Sequence, residues 1–346
     1  MIADEIHIQT ERRDNMVRVA INGFGRIGRM VVRAGIARED IEFVACNDLT
    51  DKKTLAHLFK HDSSQGTFSG AVHETEKGIS INGKELLIFS ERDPTKLPWG
   101  ELGIDVVVES TGIFRTKEQM ELHIQAGAKK VMLSAPAKGE GVKTIVLGVN
   151  EHDYDKEKHH LVSNASCTTN CLAPLVKVLD DNFGVERGYM TTIHAYTGDQ
   201  RLLDAPQSDL RRARSAAINI IPTTTGAAIA VGKVIPHLAG KLDGIAIRVP
   251  VPVGSVTDFV CELKKETTKE EINWLISEVS KYHMSSIVQY SEEPLVSSDI
   301  VGNSHSSIFD ASLTFAKGNM VKIVSWYDNE WGYSNRVCDF VAMMMR

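Results

Sequence analysis

No stretch of this chain approaches the roughly 20 consecutive apolar residues a helix needs to cross a bilayer. Even VRVAING and IDVVVESTG break after a few positions. An excess of positive charge is lacking too: 39 Lys and Arg stand against 45 Asp and Glu, a formal net charge of -6. Nothing in bulk draws the chain to nucleic acid or an anionic membrane, so any anion site must be local. Cysteine is sparse, with Cys46, Cys167, Cys171, Cys261 and Cys338 odd in number and irregular in spacing. Reduced thiols fit better than a disulfide scaffold. Internal repeats and low-complexity segments are absent, and the opening MIADEIHIQTERRDNM has neither the apolar centre nor the cleavage site of a secretory signal. These absences lead to the expectation of a cytoplasmic enzyme.

What is present is an ordinary globular composition, 42% hydrophobic and 24% charged, spread over 346 residues. That length exceeds what one core usually supports, which predicts two domains and a cleft. VRVAING (Val17 to Gly23) is short and β-rich, RIGRMVVRAGI (Arg26 to Ile36) has helical spacing, and IEFVACND (Ile41 to Asp48) returns to strand. IDVVVESTG, KKVMLSAP, KTIVLGVN and HLVSNAS continue as short apolar runs ending in small polar residues. This is the pattern of a parallel sheet covered on both faces. Ligands bind beyond the carboxyl ends of such strands, which nominates Ser110, Thr111, Ser134 and Ala135. Beyond Cys167 the runs lengthen (GYMTTIHAY, GIAIRVPVP, SVTDFVCELKK, MVKIVSWYD), which predicts an α+β domain with a mostly antiparallel sheet. The expected division is a Rossmann-type dinucleotide-binding domain over 1–166, rejoined by a C-terminal helix over 330–346, and a catalytic domain over 167–329.

Gly23-Phe24-Gly25-Arg26-Ile27-Gly28 is G-x-G-x-x-G, placed after a strand and opening a helix. Gly23 permits the tight turn, Gly25 lets backbone approach a pyrophosphate, and Gly28 lets helix and strand pack closely. The helix N-terminus favours the negative charge. Asp48 ends the next strand about 20 residues on, where a carboxylate hydrogen-bonds ribose hydroxyls and repels a 2′-phosphate. A bare glycine motif can be a chance turn; strand, helix and acid together point to NAD, with room for NADP if Asp48 swings aside.

Ser166-Cys167-Thr168-Thr169-Asn170-Cys171 lies between a strand and LAPLVKVLDDNF, which reads as a helix. A thiol at a helix start meets unpaired N–H groups and the positive end of the dipole, which favour thiolate. His194, in the strand-like TTIHAYTGD, is the candidate base beside it. Taken singly, a cysteine is more often a small buried hydrophobe and a histidine is usually filler. Cys167 and Cys171 at i, i+4 could also ligate metal, but no second Cys/His pair with zinc-like spacing lies nearby; no metal is expected, and Cys171 reads as a packing residue.

NGFGRIGR, NDLTD, ESTG, SAP, SNASCTTNCLAP, HAYTGDQ, DLRRARSAA, TTTGAA, RVPVPVGSVTD and WYDNEWGYSNR together resemble the phosphorylating glyceraldehyde-3-phosphate dehydrogenase family, from about Val17 to the C-terminus. The resemblance implies that Cys167 is the nucleophile and His194 the base. It places Arg26 and Ile27 beside the pyrophosphate, Asp48 on the adenosine ribose, Arg92 and Ser134 near the adenine part, and Asn329 on the nicotinamide carboxamide. Thr197 and Arg248 would bind the substrate C3 phosphate, and Ser166, Thr168, Thr225, Gly226 and Arg212 would surround the attacking inorganic phosphate. It further implies the oxidation of glyceraldehyde 3-phosphate through a hemithioacetal and a thioester on Cys167, and a homotetramer. Membrane and nucleic acid are not expected as primary partners. One departure concerns the cofactor: Ala205-Pro206 stands where many NAD-restricted relatives have leucine before the proline. Two alternatives remain: a relative oxidising erythrose 4-phosphate to an acid, and a non-catalytic binding relative.

Overall fold

The computed structural model describes residues 16–346; the reading of the charged opening segment falls almost wholly outside them. The first strand, β1 (Val17–Asn22), is followed by α1 (Arg26–Gly35), β2 (Ile41–Asn47) and α2 (Lys52–Lys60). Then come β3 (Val72–Glu74), β4 (Gly78–Ile81), β5 (Lys84–Phe89), β6 (Val106–Glu109), α3 (Lys117–Gln125), β7 (Lys130–Leu133), β8 (Lys143–Thr144) and β9 (Leu161–Ser163). These strands form one nine-stranded sheet in the order β3-β4-β5-β2-β1-β6-β7-β9-β8. Strand β1 lies between β2 and β6, parallel to both. The order thus reverses direction around β1, the topological switch at which open α/β sheets bind their ligands.

The sheet departs from the all-parallel expectation at its edge, where β3, β4 and β5 run antiparallel to their neighbours in that trio. Asn82-Gly83 makes the reversal between β4 and β5, with φ of 52° and 79°. Both residue types take positive φ readily, which suits a two-residue hairpin turn. KTIVLGVN is strand only over Lys143–Thr144. Past that point Asn150 holds the chain in a turn, its Oδ1 accepting the Val146 N–H and its Nδ2 donating to the Thr144 carbonyl.

Helix α4 (Cys167–Phe183) leads into the second sheet, made by β10 (Val185–Ala195), β11 (Ile221–Thr224), β12 (Leu242–Val249), β13 (Ser255–Leu263), β14 (Val288–Ser291), β15 (Ser307–Asp310), β16 (Phe315–Lys317) and β17 (Met320–Tyr327). Helices α5 (Ala227–Val234) and α6 (Lys269–Lys281) complete this half. The sheet order is β11-β12-β10-β13-β17-β15-β14, with β16 beside β17. Its pairs are antiparallel except β10 with β12 and β14 with β15. One face packs on α4, α5 and α6 through Leu172, Val176, Val231, Phe259 and Ile276.

The last helix is α7 (Trp331–Met343). The Asp328 carboxylate accepts the N–H groups of Glu330 and Trp331, satisfying donors that a helix start leaves unpaired. Its Val337, Phe340 and Val341 join the core between α1 and the first sheet. The C-terminal segment therefore runs from the second sheet back to the first.

Candidate active site

The turn from β9 into α4 sets the site. Ser166 caps the helix, its Oγ accepting the Thr169 N–H at 3.1 Å, so Cys167 is the first residue inside α4. Cys167 Sγ lies 3.5 Å from His194 Nε2. His194 sits near the carboxyl end of β10, where parallel pairing with β12 puts it opposite Arg248. Sequence-distant Cys167, His194 and Arg248 are brought together in this way.

The imidazole is buried, 5% exposed. Its Nδ1 is 2.7 Å from the Ala195 carbonyl, a hydrogen bond that holds the proton on Nδ1 and leaves Nε2 as the basic nitrogen toward sulfur. Arg248 Nη1 donates to the same carbonyl at 2.9 Å. Burial, then the Arg248 charge, press the His194 pKa down to about 3. Burial pushes the Cys167 thiol up, while Arg248 and the hydroxyl and N–H of Thr168 pull it the other way. Burial thus works against the thiolate expected at the helix end, while the geometry sets a basic Nε2 beside the sulfur. Such a pair suits a nucleophile activated by an adjacent base as it attacks.

The anion-binding candidates group around Arg248. Its Nη1 donates to Thr197 Oγ1 at 3.1 Å, and its buried Nε has no partner among the described residues. Thr197 donates to Asp199, which also pairs with Arg212. Arg212 further donates to Thr223 Oγ1 at 2.9 Å and the Thr224 carbonyl at 3.2 Å. Asp199 thereby ties Arg212 to the Thr197 side, a link that sequence reading passed over although the residue lies inside HAYTGDQ. Thr225 Oγ1 accepts the Ala227 N–H, and Gly226 precedes α5 with open space where a Cβ would stand. Thr168 is buried with its hydroxyl against Tyr327 Oη at 2.8 Å, and Tyr327 also meets Thr192.

At the other end, a cleft of about 440 Å³ is lined by Gly23, Gly25, Asp48, Leu49, Arg92, Thr111 and Ile113, among others. Ser110 lines it as well; Ser134 and Ala135 do not, and the Ser134 hydroxyl donates to the Glu109 carbonyl instead. Gly23 has φ +92°, and a Cβ on Gly28 would stand 2.2 Å from the Gly23 carbonyl oxygen. Only glycine permits that approach. Asp48 is held by two backbone donors, Phe24 N–H at 2.8 Å and Thr50 N–H at 2.9 Å. Arg26 forms ion pairs with Asp62 and Glu330, and Ile27 packs at the edge of the first core. Asn329 Oδ1 accepts from the Gly254 N–H and Ser255 Oγ, leaving its amide donors without a partner among the described residues.

Residues 17–117 match the model of the glyceraldehyde 3-phosphate dehydrogenase NAD binding domain, and residues 166–329 that of the glyceraldehyde 3-phosphate dehydrogenase C-terminal domain. The chain belongs to the glyceraldehyde-3-phosphate dehydrogenase family. It is 57% identical over 327 residues to glyceraldehyde-3-phosphate dehydrogenase of Geobacillus stearothermophilus, covering 94% of this chain and 97% of the relative. Against glyceraldehyde-3-phosphate dehydrogenase 2 of Streptomyces avermitilis the identity is 56% over 330 residues, covering 95% and 98%. The enzyme of this name numbered 1 in Bacillus subtilis is 54% identical over 331 residues, with the same coverage.

The cleft fits the family's cofactor. Half-exposed Leu49 and exposed Ile113 offer apolar walls for a flat base, and the open space at Gly25 leaves backbone accessible at the start of α1. A negatively charged pyrophosphate is favoured at such a helix end. No helix among the described residues is long and apolar enough to cross a membrane.

Proposed function

We propose that this chain carries out the phosphorylating oxidation of D-glyceraldehyde 3-phosphate to 1,3-bisphosphoglycerate with NAD. The observation that carries this reading is the 3.5 Å approach of Cys167 Sγ to His194 Nε2 beside the Arg248 guanidinium. As Sγ bonds to the aldehyde carbon, its proton passes to Nε2 and the carbonyl oxygen takes the electron pair. The Cys167 N–H at the start of α4 and the protonated His194 stabilise that oxyanion. Bound NAD supplies the acceptor for the hydride lost when the hemithioacetal becomes a thioester. A phosphate oxygen then attacks the acyl carbon, the C–S bond breaks, and Cys167 leaves as thiolate to recover its proton.

Arg248 and Thr197 are assigned to the C3 phosphate of the substrate. Ser166, Thr168, Thr225 and Gly226 are assigned to the attacking phosphate. Arg212 joins them, and its tie through Asp199 to Thr197 supports a position between the two anions. Guanidinium and hydroxyl donors suit phosphate oxygens, which is how a net acidic chain can hold two anions. Gly23, Gly25, Arg26, Ile27, Gly28, Asp48 and Arg92 are assigned to the cofactor, and the amide donors of Asn329 to the carboxamide; Ser134, outside the cleft lining, is assigned with them only through its bond to the Glu109 carbonyl beside cleft-lining Ser110. The pinned Asp48 supports NAD over NADP, since moving it would break two hydrogen bonds. We assign residues 1–166 and 330–346 to the cofactor domain, 167–329 to the catalytic domain, and the cytoplasm as the setting.

A homotetramer is part of the reading. Tyr189, Ile245 and Val260 expose apolar side chains on adjacent strands of the second sheet, and Leu202, Leu203 and Leu210 do so in the neighbouring loop. Further copies of the chain would cover this surface.

NADH formation with glyceraldehyde 3-phosphate, measured against added phosphate, tests the activity. The expected result is a rate that rises with phosphate and an acyl phosphate product. A phosphate-independent rate yielding a free acid would favour the erythrose 4-phosphate type of enzyme instead.

A further inference from the structure

Ala165, two residues before the nucleophile, has φ +54°. Among the described residues the only other non-glycine with positive φ is Asn82, in its hairpin turn. Asparagine enters that region readily, whereas alanine is disfavoured there by its Cβ. Such a conformation persists only where the surroundings over-determine it. Here they do. Asn170 Nδ2 donates to the carbonyls of Asn164 at 2.7 Å and Ser166 at 2.9 Å. The carbonyl between them, that of Ala165, accepts the Tyr333 O–H at 3.1 Å. On the opposite side the Ala165 N–H donates to Ser163 Oγ at 3.1 Å, and Ser163 in turn donates to the Ala135 carbonyl. Tyr333 arrives from α7 and is buried at 4% exposure. Burial raises its phenol well above the usual value, so the donor proton stays in place.

We infer that Tyr333, together with Asn170, is a positioning residue for the nucleophile: the two clamp the left-handed turn at Ala165 so that Cys167 enters α4 with its sulfur facing His194. The inference rests on Cys167 being the nucleophile. Neither clamp is within hydrogen-bonding distance of the sulfur. Without the Tyr333 O–H, Ala165 is free to relax toward negative φ, which rotates the peptide leading into Cys167 and opens the sulfur to imidazole distance. Glycine at 165 adopts φ +54° without steric cost, so it removes the need for a clamp.

The test compares wild type, Tyr333→Phe, Ala165→Gly and the double variant. The readouts are the pre-steady-state NADH burst without phosphate, the rate of Cys167 alkylation by iodoacetamide, the Kd for NAD by calorimetry, and Tm. Tyr333→Phe is expected to lower burst and alkylation rates together by roughly 10-fold or more, as small misplacements of reacting groups do, with Kd for NAD unchanged. Ala165→Gly should behave as wild type, and the double variant should regain most of the loss. Wild-type rates in Tyr333→Phe, or a loss that Ala165→Gly does not restore, would overturn the inference. If Tm shows Tyr333→Phe unfolded, Asn170→Ser decides by the same readouts: lowered rates support the clamp and unchanged rates overturn it. A wild-type protein with no burst at all would instead overturn the assignment of Cys167.

Discussion

His194 shows how burial sets chemistry at the level of one side chain. Folded, it stays neutral down to about pH 3, held there by desolvation and then by Arg248; an unfolded histidine protonates near pH ~6.5. Between those values the unfolded chain binds the additional proton, so this contribution to stability is complete above about pH 6.5 and is lost as pH falls through the window. Replacing His194 with Asn should therefore flatten part of the decline in Tm between neutral and mildly acidic pH. Parallel Tm profiles for the two proteins would contradict a buried neutral imidazole. The same variant should lose roughly 10²–10⁴-fold in kcat, the usual worth of a positioned base, as read by steady-state NADH formation. Cys167 and His194 were legible in sequence because a cysteine at a strand-to-helix junction and a histidine in a strand are local patterns. Arg248 as the imidazole's neighbour was not, because it depends on the pairing of β10 with β12. Asp199, Asn170 and Tyr333 escaped for the same reason, acting through hydrogen bonds that only the folded chain creates.

Among the elements, the β1-turn-α1 unit was the most readable, since its glycines and its apolar periods are contiguous. The structure gives Gly28 a mechanical reason: a methyl there meets the Gly23 carbonyl and Ile21. Gly28→Ala is expected to cost about 1–3 kcal/mol by overpacking and to weaken NAD binding, checked by urea unfolding and calorimetry. Unchanged stability and affinity would show that the close approach is dispensable. The antiparallel edge of β3 to β5 was missed because β3 and β4 are only three and four residues long and β5 is buried only at its centre, so no apolar period develops. The start of α7 is set outside any apolar period. A carboxylate cap at Asp328 extends the helix beyond its apolar stripe, and caps are read only when the following turn is already recognised as helical.

For the molecule as a whole, composition and motif order indicated two sheets, and the chain contains them: one switching direction around β1, one mostly antiparallel. The exposed apolar face of the second sheet has no counterpart in sequence reasoning, because period-2 alternation does not separate a solvent face from one awaiting another copy. Sedimentation velocity is expected to give a species of four chains; an active monomer would refute the tetramer. The central claim is that Cys167 carries the acyl group between oxidation and phosphate attack. Intact-mass analysis after mixing with NAD and glyceraldehyde 3-phosphate in phosphate-free buffer tests it most directly. The account predicts one acyl adduct per chain, mapped to Cys167, formed with one equivalent of NADH, released by phosphate, and absent in Cys167→Ser. NADH turnover at wild-type rates by Cys167→Ser, or an adduct on another residue, would contradict it.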